Sequence, residues 1–410
     1  MSTLYSTTSS ATPSGSRAGF FGIREWLMKK WLKNIERGCL TLTFPSGAQQ
    51  DFKGIRDGTH ACMHIHNMRV VTRILSSGDL GLAESYMAGE WETPDLSALL
   101  TLGSINTVAL KSIFGLSSAA QVLSRTKHAW RANSRRGSRR NIAAHYDLGN
   151  AFYQIWLDES MTYSSAIFNN PNEAMDTAQR RKYLRIAQRL DLKPGDQILE
   201  VGCGWGGFAE IAAAEFGCHV VGLTLSREQA SYARQRMIRR GIADRVDIRL
   251  QDYRDTAETF DKIVSIEMFE AVGEKYWPTF FQTLNKRLKL NGRAALQIIT
   301  IDDCKFDFYK RNPDFIQKYI FPGGMLPSLK AFSKALKRGG FGIEETFSFG
   351  TSYSETLRRW DQNFRAQWPE IEKLGFDKKF YRMWHYYLRY CEVGFDDGTI
   401  DVGQFIIKKS

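Results

Sequence analysis

Apolar residues run through the middle of the chain in short, nearly unbroken blocks, and their spacing sets the expected fold. Ile198 to Val201, Val220 to Thr224 and Phe260 to Ile266 read as strands, while Phe208 to Phe216 has helical spacing. The first block carries an acidic residue, Glu200, and runs into the turn Gly202-Cys203-Gly204-Trp205-Gly206-Gly207. Strand, glycine turn and helix in that order open a doubly wound α/β sheet, which binds ligands beyond the carboxyl ends of its strands. Gly202 and Gly204 permit positive φ and let a ligand lie against bare backbone.

Other blocks frame this unit. Phe20 to Arg37 sets Phe20, Phe21, Ile23, Trp26, Leu27, Trp31, Leu32 and Ile35 among Arg24, Lys29, Lys30, Lys33 and Arg37 at helical spacing. That pattern suits a helix on an anionic bilayer surface and equally one docked on its own domain. Cys39 to Phe44, Ala48 to Phe52 and Ala61 to Val71 read as short strands around Pro45-Ser46-Gly47. A helical stretch starts at Ser77 and continues through Asp95 to Leu102. At the other end, Glu344 to Ser410 spaces Trp360, Phe364, Trp368, Trp384, Tyr387 and Phe395 as helices covering the sheet, then ends in a strand, Val402 to Ile407.

Composition adds a second domain and an anionic partner. A chain of 410 residues with 43% apolar content can bury more than one core, and its net charge of +12 favours nucleic acid or an acidic membrane face. The expected division is a disordered tail over 1–19, an α+β lipid-associated domain over 20–124, a basic linker over 125–140 and the α/β domain over 141–410. The linker carries Arg125, Lys127, Arg131, Arg135, Arg136, Arg139 and Arg140, which suit lipid phosphates or plain solvation alike. Met1 to Ser16 has no apolar core and is not expected to be a signal peptide. No run reaches 18 apolar residues, so no membrane span is expected. Six scattered cysteines fit a reducing cytosol rather than a disulfide framework. His60, Cys62, His64 and His66 share one face of a strand, which cannot close a tetrahedron without a distant ligand, so no metal is expected.

The glycine turn alone would also serve a dinucleotide. Glu200, placed to meet a cationic amino-acid group, and the absence of an acidic residue after Gly222-Leu223-Thr224 favour S-adenosylmethionine instead.

Further motifs narrow the reading. They are His145-Tyr146-Asp147-Leu148-Gly149-Asn150, Met161-Thr162-Tyr163-Ser164-Ser165-Ala166, Thr224-Leu225-Ser226 with Gln229, and Gln251-Asp252-Tyr253. Then come Glu267-Met268-Phe269-Glu270-Ala271-Val272-Gly273, Phe315 to Ser328, and Phe349-Gly350-Thr351-Ser352-Tyr353. From about Gly78 to the C-terminus the chain resembles the cyclopropane-fatty-acyl-phospholipid synthases, including the mycolic acid cyclopropane synthases.

The resemblance implies a Rossmann-like class I methyltransferase sheet with a helical cover, and transfer of a one-carbon unit from S-adenosylmethionine to the double bond of an unsaturated phospholipid acyl chain. It assigns cofactor binding to Tyr163, Ser164, Gly202, Gly204, Thr224, Gln229, Asp252, Tyr253 and Ile266: the glycines at the amino-acid portion, Thr224 and Gln229 at the ribose, and Asp252, Tyr253 and Ile266 at the adenine. It also implies a bicarbonate ion that removes a proton from the added methyl, held by a glutamate, a tyrosine, a cysteine and a histidine. Glu270 and Tyr353 match the first two; Ser165 and Ile299 replace the others, and Gln297 on the same strand face is the candidate substitute. Ring closure is the expected outcome, and a methyl-branched or methylidene lipid the alternative if that proton is not removed.

Tyr309, Phe315, Tyr319, Phe321, Phe347 and Phe349 are expected around the acyl chain, with core packing as the competing role. The expected setting is the cytoplasm, peripheral on the inner membrane face, with a homodimer left open. A nucleic-acid methyltransferase is disfavoured, because the basic residues sit in a linker rather than beside stacking aromatics. A non-catalytic lipid-binding relative is disfavoured by the intact glycine turn and Glu270.

Overall fold

The computed structural model describes residues 16–114 and 148–409. The tail over 1–15, the basic linker and the His145-Tyr146-Asp147 motif lie outside the described residues. The chain separates into two compact units, Met1–Ser117 and Ser118–Ser410.

The first unit runs α1 (Ser16–Leu32), β1 (Arg37–Thr43), β2 (Gln49–Lys53), β3 (Arg56–Ile65), α2 (Arg69–Ser77), α3 (Asp79–Met87), β4 (Trp91–Glu92), α4 (Leu96–Ile105) and α5 (Thr107–Phe114). Its sheet has the order β2-β1-β3-β4. Two expectations are corrected here. The third strand ends at Ile65, and Val70 and Val71 lie instead in α2, fully buried. The helical stretch from Ser77 is broken at Trp91, whose indole donates to Ser85 Oγ across 2.8 Å and whose backbone pairs with Ile65. Of the strand histidines, His60 bonds Thr41 and His66 pairs with Glu92.

In the second unit the blocks read from the sequence become β5 (Gln197–Val201), β6 (His219–Thr224), β8 (Phe260–Ile266) and β11 (Ile400–Lys409). Three further strands join them: β7 (Val246–Leu250), which was not read, β9 (Leu288–Ile301), read only at Gln297 and Ile299, and β10 (Phe341–Ser348), also not read and running into the stretch from Glu344 that was expected to be helical. They form one sheet ordered β10-β11-β9-β8-β5-β6-β7. β5, β6, β7, β8 and β9 are parallel, and β11 is antiparallel to both its neighbours. The chain leaves β5 toward β6 and β7, then returns to β8 on the other side of β5. That reversal opens a crevice at the carboxyl ends of β5 and β8.

Helices cover both faces: α6 (Asn150–Trp156), α7 (Met175–Arg189), α8 (Gly207–Phe216), α9 (Arg227–Arg239), α10 (Trp277–Arg287), α11 (Asp303–Arg311), α12 (Leu329–Arg338), α13 (Gly350–Ala366), α14 (Trp368–Lys373) and α15 (Lys378–Asp396). Strand alternation divides the core in two. Ile198, Val220, Val264 and Ile406 pack with Phe208 and Ala233, whereas Leu199, Ile263, Leu296 and Ile407 pack with Phe280, Phe281 and Phe332. Burying each large side chain contributes about 1.5–3 kcal/mol, which fixes the register of the strands that carry the site.

Candidate active site

The glycine turn leaves β5 with Gly202 at φ 85° and Gly204 at φ 53°, a left-handed path open to glycine. Gly202 and Cys203 both donate their amides to the Leu223 carbonyl, tying the turn to β6. A Cβ on Gly204 would meet nothing within 4 Å, so the turn faces open space, the cradle a cofactor requires. Glu200 is buried beneath it. One carboxylate oxygen takes the Ala209 amide in the first turn of α8; Oε2 has no partner among the described residues. Burial pushes the Glu200 carboxyl well up, and an approaching cationic group would restore its charge.

Ser226 caps α9 by accepting from Gln229 N, and Thr224 Oγ1 donates to Gln229 Oε1 across 2.8 Å. That bond takes the Gln229 carbonyl oxygen, and its side-chain amide nitrogen, which has no hydrogen bond among the described residues, is the donor a ribose hydroxyl needs. Asp252, buried after β7, is clamped by Arg254 at 2.6 Å, and Tyr253 packs edge-on against Phe280 at 5.4 Å. These residues stand with Ile266, the last residue of β8, along the carboxyl edge of the parallel strands. The donor set fits S-adenosylmethionine: open glycine backbone, a buried carboxylate and a positioned amide.

Tyr163 and Ser164 sit differently. The Tyr163 ring lies 5.2 Å from Trp360 and 5.7 Å from Trp156, and its hydroxyl meets Tyr387 OH at 2.8 Å. Ser164 Oγ accepts from the buried Lys182 ammonium at 2.6 Å, while Gln179 holds the Ser164 carbonyl. Helix α7 thus fixes the backbone on which Ser165 is displayed.

Beyond β8 the chain turns sharply at Glu267, a non-glycine residue at φ 50°. Left-handed geometry costs about 1–2 kcal/mol in such a residue, and here it aims the carboxylate inward. Glu267 Oε1 accepts from Ser165 N at 2.9 Å and Gln297 Nε2 at 2.8 Å; Oε2 accepts from Tyr353 OH at 2.6 Å. Burial raises the Glu267 carboxyl, and Lys182 with these donors opposes the rise. Lys182 itself is pushed down to about 7 by burial.

Glu270 lies on the next turn. Its Oε1 accepts from Ile299 N at 2.5 Å, and its Oε2 has no partner among the described residues. Burial, then the neighbouring Glu267, push Glu270 up to about 8. The residues assigned to bicarbonate therefore converge, but Ser165, Gln297 and Tyr353 meet on Glu267. Ile299 offers only its backbone, to Glu270.

The expected aromatic lining divides. Phe315, opening the single π-turn Ile316–Ile320, packs on Tyr319 at 5.5 Å and Tyr386 at 4.9 Å. The Met325 amide ties this segment to the Glu270 carbonyl. Tyr309 is buried in the sheet core. Phe347 and Phe349 stack on each other at 5.6 Å, with Arg185 over Phe347, a packing role. Sequence reasoning gave Glu267 and Lys182 no role and placed Tyr387 only in the helical cover. An acidic residue just past a parallel strand at the sheet's switch point was the available signal for Glu267.

Comparison with known proteins identifies the family. Residues 133–405 match the family model of mycolic acid cyclopropane synthetase. The chain is 39% identical over 365 residues to a tuberculostearic acid methyltransferase of Mycobacterium tuberculosis, covering 86% of this chain and 84% of that one. It is 36% identical over 363 residues to the cyclopropane-fatty-acyl-phospholipid synthase of Escherichia coli, covering 87% and 90%. A mycolic acid cyclopropane synthase solved with SAH and CTAB superposes with a TM-score of 0.63 at 32% identity, covering 66% of this chain and 98% of that one. The chain belongs to the mycolic acid cyclopropane synthetase family and is a methyltransferase that uses S-adenosylmethionine.

Proposed function

We propose that this enzyme converts the double bond of an unsaturated phospholipid acyl chain into a cyclopropane ring, with the methyl of S-adenosylmethionine as the added carbon. The observation that carries this reading is the buried carboxylate held by Ser165, Gln297 and Tyr353 beside the cofactor edge. A base in that position serves the second half of ring formation, removal of a proton from the carbon just added. Bound S-adenosylmethionine supplies an electrophilic methyl. The chain supplies alignment of a weakly nucleophilic alkene and exclusion of water from the cation that follows. Phe315, Tyr319 and Tyr386 offer apolar surface and π faces for the acyl segment. Gly202, Gly204, Thr224, Gln229 and Asp252 hold the cofactor in this reading.

The apolar side chain of Ile299 favours a second reading. One wall of the cage offers only a backbone donor, already given to Glu270. A hydrogen lost from the neighbouring acyl carbon would give a methyl-branched, unsaturated lipid that keeps all three methyl hydrogens. Counting methyl hydrogens in the product separates the two.

Access to the lipid is assigned to the first unit. Ile23 and Trp26 are 57% and 58% exposed on α1, where Lys30 flanks Trp26 at 5.2 Å. No described helix is long and apolar enough to cross a membrane. The aromatic and basic face of α1 suits docking on an anionic membrane surface.

A further inference from the structure

We infer that Glu267 is the base of this enzyme and that its carboxylate replaces bicarbonate. The inference rests on the reading of the preceding section, that a proton is removed after methyl transfer. The residues present do not fit a bound bicarbonate. Of the side chains that would hold the ion, Ser165 and Tyr353 are both committed: the Ser165 amide and the Tyr353 hydroxyl donate to Glu267, and Ser165 Oγ donates to the Ala166 carbonyl. Gln297, the substitute for the missing histidine, spends Nε2 on Glu267 and accepts from Gln404 through Oε1. Ile299 adds no side-chain donor.

A second anion would enter a fully buried site beside the Glu267 carboxylate, where Ser165, Gln297 and Tyr353 have already given their donors and Glu270 Oε2 is left unpartnered among the described residues. Glu267 already presents what bicarbonate would bring: a planar carboxylate-type base held by three donors. Lys182, hydrogen-bonded to Ser164 and Gln179, supplies the nearby positive charge. Glu270 beside it accepts only the Ile299 amide, against three donors on Glu267.

The step balances without another reactant. Once the methyl carbon has bonded to one alkene carbon, the other is electron-deficient. A Glu267 oxygen takes a proton from the new methyl, and the C–H electron pair closes the second carbon–carbon bond. The carboxylate becomes a neutral acid, then returns its proton to solvent in the next cycle.

The test uses the full chain and two variants. Glu267→Gly suits φ 50° without strain and opens the cage; Glu267→Gln keeps it filled without a basic oxygen. Carbon-13 bicarbonate is titrated onto each protein and bound ion is read by NMR, independently of turnover. Bound ion is expected on Glu267→Gly only. Turnover of oleoyl phosphatidylglycerol vesicles is then followed in carbon-dioxide-free buffer with and without added bicarbonate. The wild type should be unaffected, Glu267→Gln should lose at least about 100-fold in either buffer, and Glu267→Gly should recover at least tenfold on adding the ion. Bicarbonate bound to the wild type, or wild-type turnover that depends on it, overturns the assignment. If no protein methylates the lipid, the proposed function falls while the binding titration still decides whether Glu267 fills the anion site.

Discussion

Tyr353 donates its hydroxyl to Glu267 across 2.6 Å although 86 residues separate them in the chain. The contact joins the start of α13 to the switch point of the sheet. Tyr353 is buried and stacked on Phe395 at 4.5 Å, so its hydroxyl has little freedom to turn elsewhere. Tyr353→Phe should therefore lower kcat by about 10–100-fold with little change in KM for S-adenosylmethionine, because it loosens the base and leaves the glycine turn intact. Equal losses in cofactor affinity and turnover would assign Tyr353 a structural role instead.

Gly204 tests the cofactor cradle. A leucine there would project into the open space over the turn. Calorimetry should show affinity for S-adenosylmethionine falling by more than about 100-fold, while the far-ultraviolet circular dichroism stays that of the wild type. Unchanged affinity would remove the turn from the binding site.

Glu270 should set a pH dependence of stability. Its carboxyl is pushed up to about 8 from 4.5 by burial and by Glu267. The folded protein holds this proton more tightly than the unfolded chain, so stability falls as pH rises through the interval from about 4.5 to about 8. Glu270→Gln should flatten this dependence, so that between about pH 5 and 8 the wild-type Tm falls relative to that of the variant by more than about 2–4 °C. Parallel Tm curves for the two proteins would place the charge elsewhere.

Much of this arrangement was legible before the fold was known. β8, Phe260 to Ile266, was readable to the residue because its apolar run has no competing period, and the glycine turn announced the switch point. Val70 and Val71 were misread as strand because a short apolar run does not reveal whether its period is two or 3.6. The role of Glu267 was hidden for a different reason. Its motif was visible, but the positive φ that turns its carboxylate into the cage depends on the Gln297 carbonyl holding its backbone amide. Lys182 was equally silent: on α7 it looks like one more basic residue, and only tertiary packing buries it.

Lys182 should tune the base. Its charge lowers the Glu267 carboxyl against the rise caused by burial. Lys182→Met should therefore raise that carboxyl further and move the acid limb of the kcat/KM profile to higher pH, a shift a merely packing residue would not produce. An unmoved acid limb with lower overall activity would contradict this.

The first unit should recruit membrane. Sedimentation with anionic phospholipid vesicles should exceed that with neutral vesicles and should weaken as salt rises from about 0.05 to 0.5 M, because screening shortens the reach of the basic side chains. Trp26→Ala should weaken it at every salt concentration. Equal sedimentation with both lipids at low salt would contradict the docking surface.

The ring-closing claim is tested most directly by S-adenosylmethionine bearing a fully deuterated methyl and a phospholipid with one cis double bond. Mass spectrometry of the purified acyl product counts the label. If the base beside the cofactor edge takes a hydrogen from the added methyl and the ring closes, two of the three deuterium atoms remain, and mild catalytic hydrogenation leaves the mass unchanged, whereas a methylidene isomer would take up hydrogen. Retention of all three would contradict ring closure and establish proton loss from the acyl chain itself.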